Sequence, residues 1–262
     1  MEMITSTQNE WVVEAKKLKL RKNREERGLF LAEGLRLSEE AVKAASIEEA
    51  YYHEALADTE RGAALLRELS GKARRFFKVS AKVMNALAET ETPQGVLCVC
   101  KCPQTAIKDF KPQGGLVLAV DGIQDPGNLG SLLRTLWAAG GQGLICLRGT
   151  TDPFGGKCVR ASMGGIFQVP VFSDVSWPVL ARWTIDQGYT LIAADSSGGK
   201  DYRRMDWPEK TLLCIGSEAR GFITIPAEEA AERTYIPLAG GAESLNASVA
   251  AGILIFEAGR GR

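Results

Sequence analysis

The chain has 262 residues, of which 45% are hydrophobic and 24% are charged, and this composition is typical of a soluble globular protein with room for two domains. Lysine plus arginine equals aspartate plus glutamate, at 32 each, so a site for a polyanion is expected to be a local basic patch. No apolar run approaches the roughly 20 residues of a membrane span, and the N-terminal segment has no signal-peptide core. We therefore expect a cytoplasmic protein that does not bind a membrane.

Short strands and helices alternate over residues 1–105. Helical spacing runs over 9–24, with apolar residues on one face and basic residues around the rest. A strand at 29–32 leads into a helix over 34–45. This alternation predicts a small α/β domain. Its other expected elements are strands at 50–53, 75–79 and 95–100, a helix at 58–69, and a short helix capped by Ser80.

A run of basic side chains crosses the predicted first helix. A charge run is often only the solvated face of a helix, and that interpretation stays open here. A second basic cluster at 72–78 favours the alternative, in which this part of the chain binds RNA. The candidate RNA-binding residues are Lys16, Lys19, Arg21, Lys22 and Arg24.

The cysteines and the single histidine do not indicate a metal site. Cys98, Cys100 and Cys102 alternate along a predicted strand, unlike the spacing of zinc knuckles. We expect all six cysteines to be reduced packing residues. His53 is the one histidine, which excludes a site of several histidines, and it lies far along the chain from every glycine-rich loop. We therefore expect His53 to be structural and the protein to hold no metal.

Residues 106–115 are rich in proline and glycine without a clear apolar period, and they are expected to be a linker. Beyond them, over 116–262, strands and helices alternate from the first strand at 116–120 onward. That rhythm predicts a mostly parallel sheet with helices on both faces.

Two helix starts in this second domain carry polar residues of interest. Asn128 is expected at the N-cap of the first helix, and capping could be its only role. The closing helix, 245–258, is expected to be capped by Ser244 or Asn246. Its dense apolar pattern predicts that it is well buried.

Three loops built from glycine and small polar residues follow apolar strands. They are 121–130 (DGIQDPGNLG), 216–221 (GSEARG) and 236–248 (IPLAGGAESLNAS). Ligands of parallel sheets lie beyond the carboxyl ends of the strands, where glycine permits close approach, so we expect these loops to share one pocket. The first loop lacks the G-x-G turn of a dinucleotide-binding fold.

The spacing Asn128-x-Gly130-x-x-x-Arg134, followed by the second and third loops, resembles the three motifs of the SpoU/TrmH branch of the SPOUT RNA methyltransferases. The resemblance covers about 117–257. It implies S-adenosylmethionine-dependent 2′-O-methylation of RNA ribose, a deep trefoil knot in the C-terminal segment and a homodimer. The stretch 30–42 (FLAEGLRLSEEAV) is similar to the opening of a small domain that resembles RNA-binding ribosomal proteins.

The same resemblance implies roles for individual residues. The residues implied to hold S-adenosylmethionine, mainly through backbone groups, are Gly216, Ile236 and Leu245, with Gly221 and Gly240 permitting close approach. The catalytic candidates are Asn128, Arg134, Glu218, Ser244 and Asn246. The family assigns the motif arginine to activation of the hydroxyl, but a guanidinium is practically never deprotonated. Binding of an RNA phosphate and stabilisation of a developing alkoxide are favoured instead.

Three functions are compatible with these residues. A separate N-terminal binding domain is commoner among enzymes that act on ribosomal RNA, so ribosomal RNA is favoured over transfer RNA. A third alternative is an RNA-binding protein that keeps the fold without catalysis. Every motif position carries a chemically competent residue, which favours an enzyme.

Overall fold

The computed structural model describes residues 3–195, 198–217 and 220–260, apart from the side chain of Ala227. Contacts divide the chain into two units. The first comprises Met1–Gln104 with Phe154–Gln168, and the second comprises Thr105–Pro153 with Val169–Arg262.

Residues up to Gln104 form five α-helices and four strands. In chain order these are α1 (Glu10–Lys17), α2 (Arg21–Arg27), β1 (Leu29–Glu33), α3 (Leu35–Ala44), β2 (Ile47–Tyr52), α4 (Glu60–Lys72), β3 (Arg75–Lys78), α5 (Ala81–Leu87) and β4 (Val96–Lys101). The elements predicted over 29–101 are all present, with ends shifted by one to three residues.

The described residues beyond Gln104 form five α-helices and seven strands. They are β5 (Gly115–Asp121), α6 (Pro126–Ala138), β6 (Gly143–Leu147), α7 (Gly156–Ala161), α8 (Gly165–Gln168), β7 (Val171–Val175), α9 (Trp177–Gln187), β8 (Thr190–Ala194), β9 (Lys200–Asp201), β10 (Lys210–Gly216), β11 (Glu232–Tyr235) and α10 (Ala247–Ala258). None of the helices in the described ranges is long and apolar enough to cross a membrane.

The first unit contains a four-stranded sheet in the order β1-β4-β2-β3. Strand β4 is antiparallel to β1 and β2, whereas β2 and β3 are parallel. Helix α1 packs through Val12, Ala15 and Leu18 into one apolar cluster with Tyr51 and Leu97 from the sheet.

All six cysteines of the chain are free thiols, and five of them are buried.

The helix expected over 9–24 is wrong, because the chain forms two helices there with a break between Lys17 and Arg21. The Arg24 side chain, only 7% exposed, bridges the break by donating from one guanidinium nitrogen to the carbonyl oxygens of Leu18 and Lys19, each at 2.8 Å. A buried cation therefore supplies the donors that a continuous helix would have supplied from its backbone.

Residues 154–168 belong to the first unit, although the sequence-based division included them in 116–262. The Phe154 ring packs 5.2 Å from the ring of Phe30, between centroids, and Arg160 pairs with Glu89 at 2.8 Å. Residues 106–115, expected to be a linker, belong to the second unit, which begins at Thr105. The functional division into a substrate domain, 1–105, and a catalytic domain, 116–262, stays a prediction.

The second unit contains a seven-stranded sheet in the order β7-β6-β5-β10-β8-β11-β9, and every neighbouring pair is parallel. Helix α9 packs on one face, where Leu180 and Trp183 join Val117 and Ala119 of β5 in an apolar cluster. Helices α6 and α10 contact each other and strands β6 and β10. The predicted α/β fold, with helices on both faces of a parallel sheet, is confirmed.

The closing helix is buried along one side only. Leu254 and Ile255 are inaccessible, but Val249 and Phe256 are 53% and 56% exposed. The expectation of a well-buried helix holds for one side only, because the apolar residues of α10 occupy more of its circumference than α6 and β10 cover. The threading of this segment into a knot stays a prediction.

Candidate functional site

The register of two neighbouring strands brings the first two loops together. In the parallel pairing of β5 with β10, Asp121 lies opposite Gly216, and each residue is the last of its strand. Loops that leave parallel strands at the same edge of a sheet emerge side by side. The two loops therefore start next to each other, although 95 positions separate them in the numbering (216 minus 121).

Asp121 connects these loops directly. Its side chain is fully buried, and one carboxylate oxygen accepts the backbone N–H groups of Ile223, Thr224 and Ile225 at 2.7, 2.6 and 3.0 Å. The other oxygen accepts the Thr224 hydroxyl at 3.0 Å. We call this arrangement the Asp121 clamp. The sequence reasoning assigned no role to Asp121, although a lone carboxylate at the end of an apolar strand was a usable signal.

Helix α6 begins earlier than expected. Its N-cap is Asp125, whose side chain accepts the backbone N–H of Asn128 at 2.9 Å, and Pro126 is the first helical residue. The N-cap assignment of Asn128 is wrong, because proline is favoured at the first position of a helix and aspartate is a strong cap. The Asn128 side chain is thus not needed to cap the helix.

The second loop turns tightly after β10. Ser217 and Gly221 exchange two backbone hydrogen bonds, at 2.8 and 2.9 Å. A Cβ atom added to Gly216 would lie 2.5 Å from the carbonyl carbon of Gly221, so a side chain at this position is excluded by the turn itself. Glu218, a catalytic candidate, lies outside the described residues together with Ala219.

The third loop ends at Asn246, which is the N-cap of α10. The side-chain oxygen Oδ1 of Asn246 accepts the backbone N–H of Ser248 at 2.9 Å. The side-chain nitrogen Nδ2 of Asn246 donates to the side-chain oxygen Oδ1 of Asn128 at 3.1 Å. Of the two caps proposed, Asn246 is the one observed, and Ser244 is not. Two catalytic candidates that are 118 positions apart are therefore in direct contact.

The second and third loops border a cavity of about 520 Å³ at the carboxyl ends of β8, β10 and β11. This volume is within the usual range of ligand pockets, roughly 300–1,000 Å³. Four of the five cofactor-binding candidates line it, and so does the catalytic candidate Ser244. Those four are Gly216, Gly221, Ile236 and Leu245. The fifth, Gly240, is an exposed residue of the third loop and is not part of the described cavity wall.

The cavity wall combines apolar side chains, two carboxylates and unpaired backbone. Phe222, Ile225 and Leu254 supply apolar surface, and Asp195 and Glu228 supply the carboxylates. Leu238, Ser244 and Leu245 of the third loop also line the cavity, and within the described part of the chain their backbone groups make no hydrogen bond. These N–H and C=O groups can therefore bind a ligand without breaking an internal bond.

Arg134 does not line this cavity. It lies on α6, six positions after Asn128, with an exposed side chain that makes no hydrogen bond or ion pair to the described residues. An exposed guanidinium that is not part of the cavity wall is accessible to a polyanion, so the position suits a contact with RNA rather than with a small ligand in the cavity.

Two comparisons of sequence identify the family. Residues 115–256 match the sequence model of the SpoU rRNA methylase family. The chain belongs to the SpoU rRNA methylase family. Residues 9–98 match a second model, the MRM3-like substrate binding domain. The resemblance found in the three motifs is confirmed.

Relatives that share most of their length with the chain include named ribosomal RNA methyltransferases. The Bacillus subtilis 23S rRNA (guanosine(2553)-2′-O)-methyltransferase RlmP is 33% identical over 256 residues, which cover 98% of each chain. The structure of an AdoMet-bound rRNA methyltransferase from Sinorhizobium meliloti covers 98% of this SpoU-family chain and 97% of its own, with a TM-score of 0.88 at 32% identity. The structure of AviRb from Streptomyces viridochromogenes in complex with AdoMet covers 96% of this chain and 98% of its own chain, with a TM-score of 0.86 at 26% identity.

The cavity of this SpoU-family chain is chemically suited to S-adenosylmethionine. The cofactor has a flat adenine with polar edges, which matches apolar walls beside free backbone donors and acceptors. It also carries a sulfonium and an ammonium group, and the wall contains two carboxylates, Glu228 and Asp195, of which Asp195 also pairs with Arg233 at 3.5 Å. The residues present therefore fit the cofactor that the family uses.

The basic candidates of the first unit divide into two groups. Lys16, Arg21 and Lys22 are exposed, and Arg21 also pairs with Glu25 at 2.6 Å. Lys19 donates to the carbonyl oxygens of Ala86 and Ala88 at 3.1 and 2.6 Å, and burial lowers the pKa of its ammonium group. Lys19 and Arg24 thus have structural contacts within the unit.

Neither His53 nor any cluster of possible metal ligands among the described residues indicates a metal site. His53 accepts the Ala55 N–H through its Nδ1 atom at 3.3 Å. Among residues 3–195, 198–217 and 220–260, no group of three or more histidine, cysteine, aspartate or glutamate side chains is arranged to hold a metal ion.

The Asp121 clamp predicts a specific defect in Asp121→Asn. An asparagine has one acceptor oxygen and a neutral NH2 group. Either its oxygen faces the three N–H groups without the negative charge that strengthens these bonds, or its NH2 group faces them and they lose their acceptor. We expect the free energy of unfolding in urea to fall by about 3 kcal/mol. The dissociation constant for S-adenosylmethionine, measured by calorimetry, should rise about ten-fold, because the clamped residues form part of the cavity wall.

The matched control is Asp186→Asn. Asp186 is an exposed carboxylate on α9 that pairs with Arg182 at 2.9 Å. The loss of such a surface pair should change the free energy of unfolding by less than about 0.5 kcal/mol. Equal stabilities and cofactor affinities for the two variants would contradict the role of the clamp.

Proposed function

We propose that this protein is an S-adenosylmethionine-dependent methyltransferase that methylates a ribose 2′-oxygen in ribosomal RNA. The observation that carries the proposal is the contact of Asn128 with Asn246 beside a cavity lined by the second and third loops. Membership of the SpoU rRNA methylase family supports the same reaction. A ribosomal substrate also supports the cytoplasmic location expected from the sequence.

The cofactor would be held by the chain around the cavity. The backbone groups of Gly216, Ile236 and Leu245 would bind its polar edges, and Asp195 and Glu228 would lie near its positive groups. When bound, S-adenosylmethionine supplies a methyl group on a positively charged sulfur, which an alkoxide-like oxygen can attack. Gly221 and Gly240 would keep the adjoining loops free of side chains.

The candidate catalytic residues would orient and polarise the ribose. Asn128 and Asn246 form a hydrogen-bonded amide pair, and such a pair fixes the positions of its remaining donors and acceptors. Arg134 would bind a phosphate of the RNA and stabilise negative charge that develops on the 2′-oxygen. We propose Ser244 as a further hydrogen-bonding group at the cavity, and Glu218 as the residue that orders the second loop or accepts the proton.

Ribosomal RNA is favoured over transfer RNA by the organisation of the whole chain. The substrate binding domain and the methylase region together match RlmP over 98% of both sequences, and RlmP is named for a position in 23S rRNA. The exposed basic residues Lys16, Arg21 and Lys22 lie in this first unit and would contact the RNA backbone. We keep transfer RNA and a non-catalytic RNA-binding role as the alternatives.

Transfer of tritium from labelled S-adenosylmethionine tests the proposal. Total RNA from a strain that lacks the protein is incubated with the purified chain, and 23S, 16S and transfer RNA are separated before counting. We expect label in ribosomal RNA. It should map to a nucleotide whose 3′ phosphodiester bond resists alkaline hydrolysis, because the ribose 2′-oxygen is methylated. Label confined to transfer RNA would favour the first alternative, and cofactor binding absent in calorimetry together with no label would favour the non-catalytic role.

Arg134→Ala should abolish methylation without weakening cofactor binding. Removal of one charge-stabilising group typically lowers kcat by about 100- to 1,000-fold, whereas the cofactor cavity does not include this side chain. The same assay, with calorimetry of S-adenosylmethionine, measures both quantities. Arg182→Ala, which removes an exposed arginine from α9, is the control and should keep full activity. Loss of cofactor affinity in Arg134→Ala would refute its assignment to the RNA.

We infer that the protein is a homodimer that uses the exposed face of α10. Val249 and Phe256, separated by about two helical turns, lie on this face and are 53% and 56% exposed. Trp137 of α6 is half-buried and could extend the surface. The Phe154 ring packs against Phe30 inside the first unit and is not part of this surface.

Phe256→Glu should convert the dimer to a monomer, because a carboxylate would have to be buried in an apolar interface. Size-exclusion chromatography with light scattering measures the mass of each species. Ile185→Glu is the matched control, since Ile185 is an apolar residue of α9 that is 75% exposed in this structure. A monomeric wild type, or equal behaviour of both variants, would contradict the proposed interface.

A further inference from the structure

The first unit contains a second cavity, of about 340 Å³, far along the chain from the motif loops. It is bordered by the start of α3, the short turn after His53, helix α5 and the loop that leads into β4. Its wall includes Leu35, His53, Asn85 and Gln94. All of its lining residues lie within 9–98, the part of the chain that matches the substrate binding domain. We call it the Asn85 cavity.

The Gln94 side chain is held in one orientation at this cavity. Its carbonyl oxygen accepts the backbone N–H of Leu35 at 2.9 Å, so the amide nitrogen remains as a donor. Gly34 permits this contact, because a Cβ atom added there would lie 2.8 Å from the same oxygen. Gly34 also has φ of +101°, which other residues rarely adopt.

His53 and Asn85 add further hydrogen-bonding groups to the wall. Since His53 Nδ1 accepts the Ala55 N–H at 3.3 Å, the proton of the neutral ring lies on Nε2, which is therefore a donor. Asn85 is exposed, and within the described ranges its amide makes no hydrogen bond. The cavity thus offers both donors and an acceptor from side chains.

The rest of the wall identifies the class of ligand. Leu56, Met84 and Pro93 supply apolar surface, and the described residues that line the cavity include no lysine, arginine, aspartate or glutamate. A phosphate or an amino acid would meet no opposite charge inside it. A nucleobase, which is flat and apolar on its faces and carries neutral donors and acceptors on its edges, matches this wall.

Two exposed cations lie next in sequence to lining residues. Lys82 follows Ala81 on α5, and Arg36 follows Leu35 on α3. Arg36 lies 4.0 Å from Glu40, and the side chain of Lys82 has no ion pair in the part of the chain that the structure describes. Positive charge on the two helices that border this neutral cavity suits the phosphates on either side of an inserted base.

We propose that the Asn85 cavity binds one unstacked base of the RNA substrate. This inference rests on the proposed function, since it assigns a specific contact to the substrate binding unit. Sequence-specific proteins bind single-stranded RNA by stacking on splayed bases and by hydrogen bonds to their edges. The cavity therefore selects a single-stranded or looped segment, and the catalytic cavity acts on another nucleotide of the same RNA.

The test uses the full-length protein with deproteinised 23S rRNA as the probe. Asn85→Leu keeps the approximate volume of the side chain and removes its donors and acceptor, and leucine is a good helix former. We expect the dissociation constant for the RNA to rise about three- to ten-fold, as for a lost hydrogen bond. KM for RNA should rise by a similar factor, while kcat and the affinity for S-adenosylmethionine stay unchanged.

Gln8→Leu is the matched control, because Gln8 is an exposed amide of the first unit outside the cavity. Photocrosslinking with 4-thiouridine-substituted 23S rRNA adds an independent measurement, and crosslinked peptides should include His53 or the stretch 81–95. Equal RNA affinities for the Asn85 and Gln8 variants, or crosslinks confined to other peptides, overturn the inference. If the wild type binds RNA but methylates none, the proposed function fails while the affinity comparison still decides the role of the cavity.

Discussion

The candidate site depends on one buried carboxylate, that of Asp121. Burial of a carboxylate costs several kcal/mol unless hydrogen bonds replace its water, and here three consecutive N–H groups and one hydroxyl do so. The chain that returns after the second loop is therefore fixed against the end of β5. Because Phe222 and Ile225 of that segment border the larger cavity, the clamp positions part of the cavity wall as well.

Asn246 connects helix capping with the candidate chemistry. Its carbonyl oxygen caps α10, and its amide nitrogen bonds Asn128. An aspartate would cap the helix equally well but could not donate to Asn128, since an ionised carboxylate only accepts hydrogen bonds. The amide thus couples the start of the closing helix to the first loop, and movement of either element would disturb the pair.

The basic residues from Lys16 to Arg24 have two different roles in the first unit. Arg24 and Lys19 satisfy carbonyl oxygens at helix ends, where the backbone leaves acceptors without partners. Lys16, Arg21 and Lys22 remain at the surface. Of the five candidate RNA-binding residues, these three have exposed side chains, so the contact surface proposed from this run is smaller than the five candidates predicted.

The sequence by itself determined the order and type of most elements, the family and the three loops. Apolar periodicity and glycine-rich turns are local signals that span only a few residues. Contacts between residues close in sequence also explain two wrong predictions, the start of α6 and the single helix over 9–24. The Asp125-Pro126 pair started α6 before Asn128, and a buried arginine divided the first helix in two.

Only the tertiary structure decided which distant residues meet. The contact of Asn128 with Asn246 spans 118 positions, and the Asp121 clamp spans 102 to 104. Such contacts follow from the order β5-β10-β8 and its register, which depend on the burial of surface by the whole sheet. Local propensity carries no information about that order, and the same reason explains why residues 154–168 joined the first unit unpredicted.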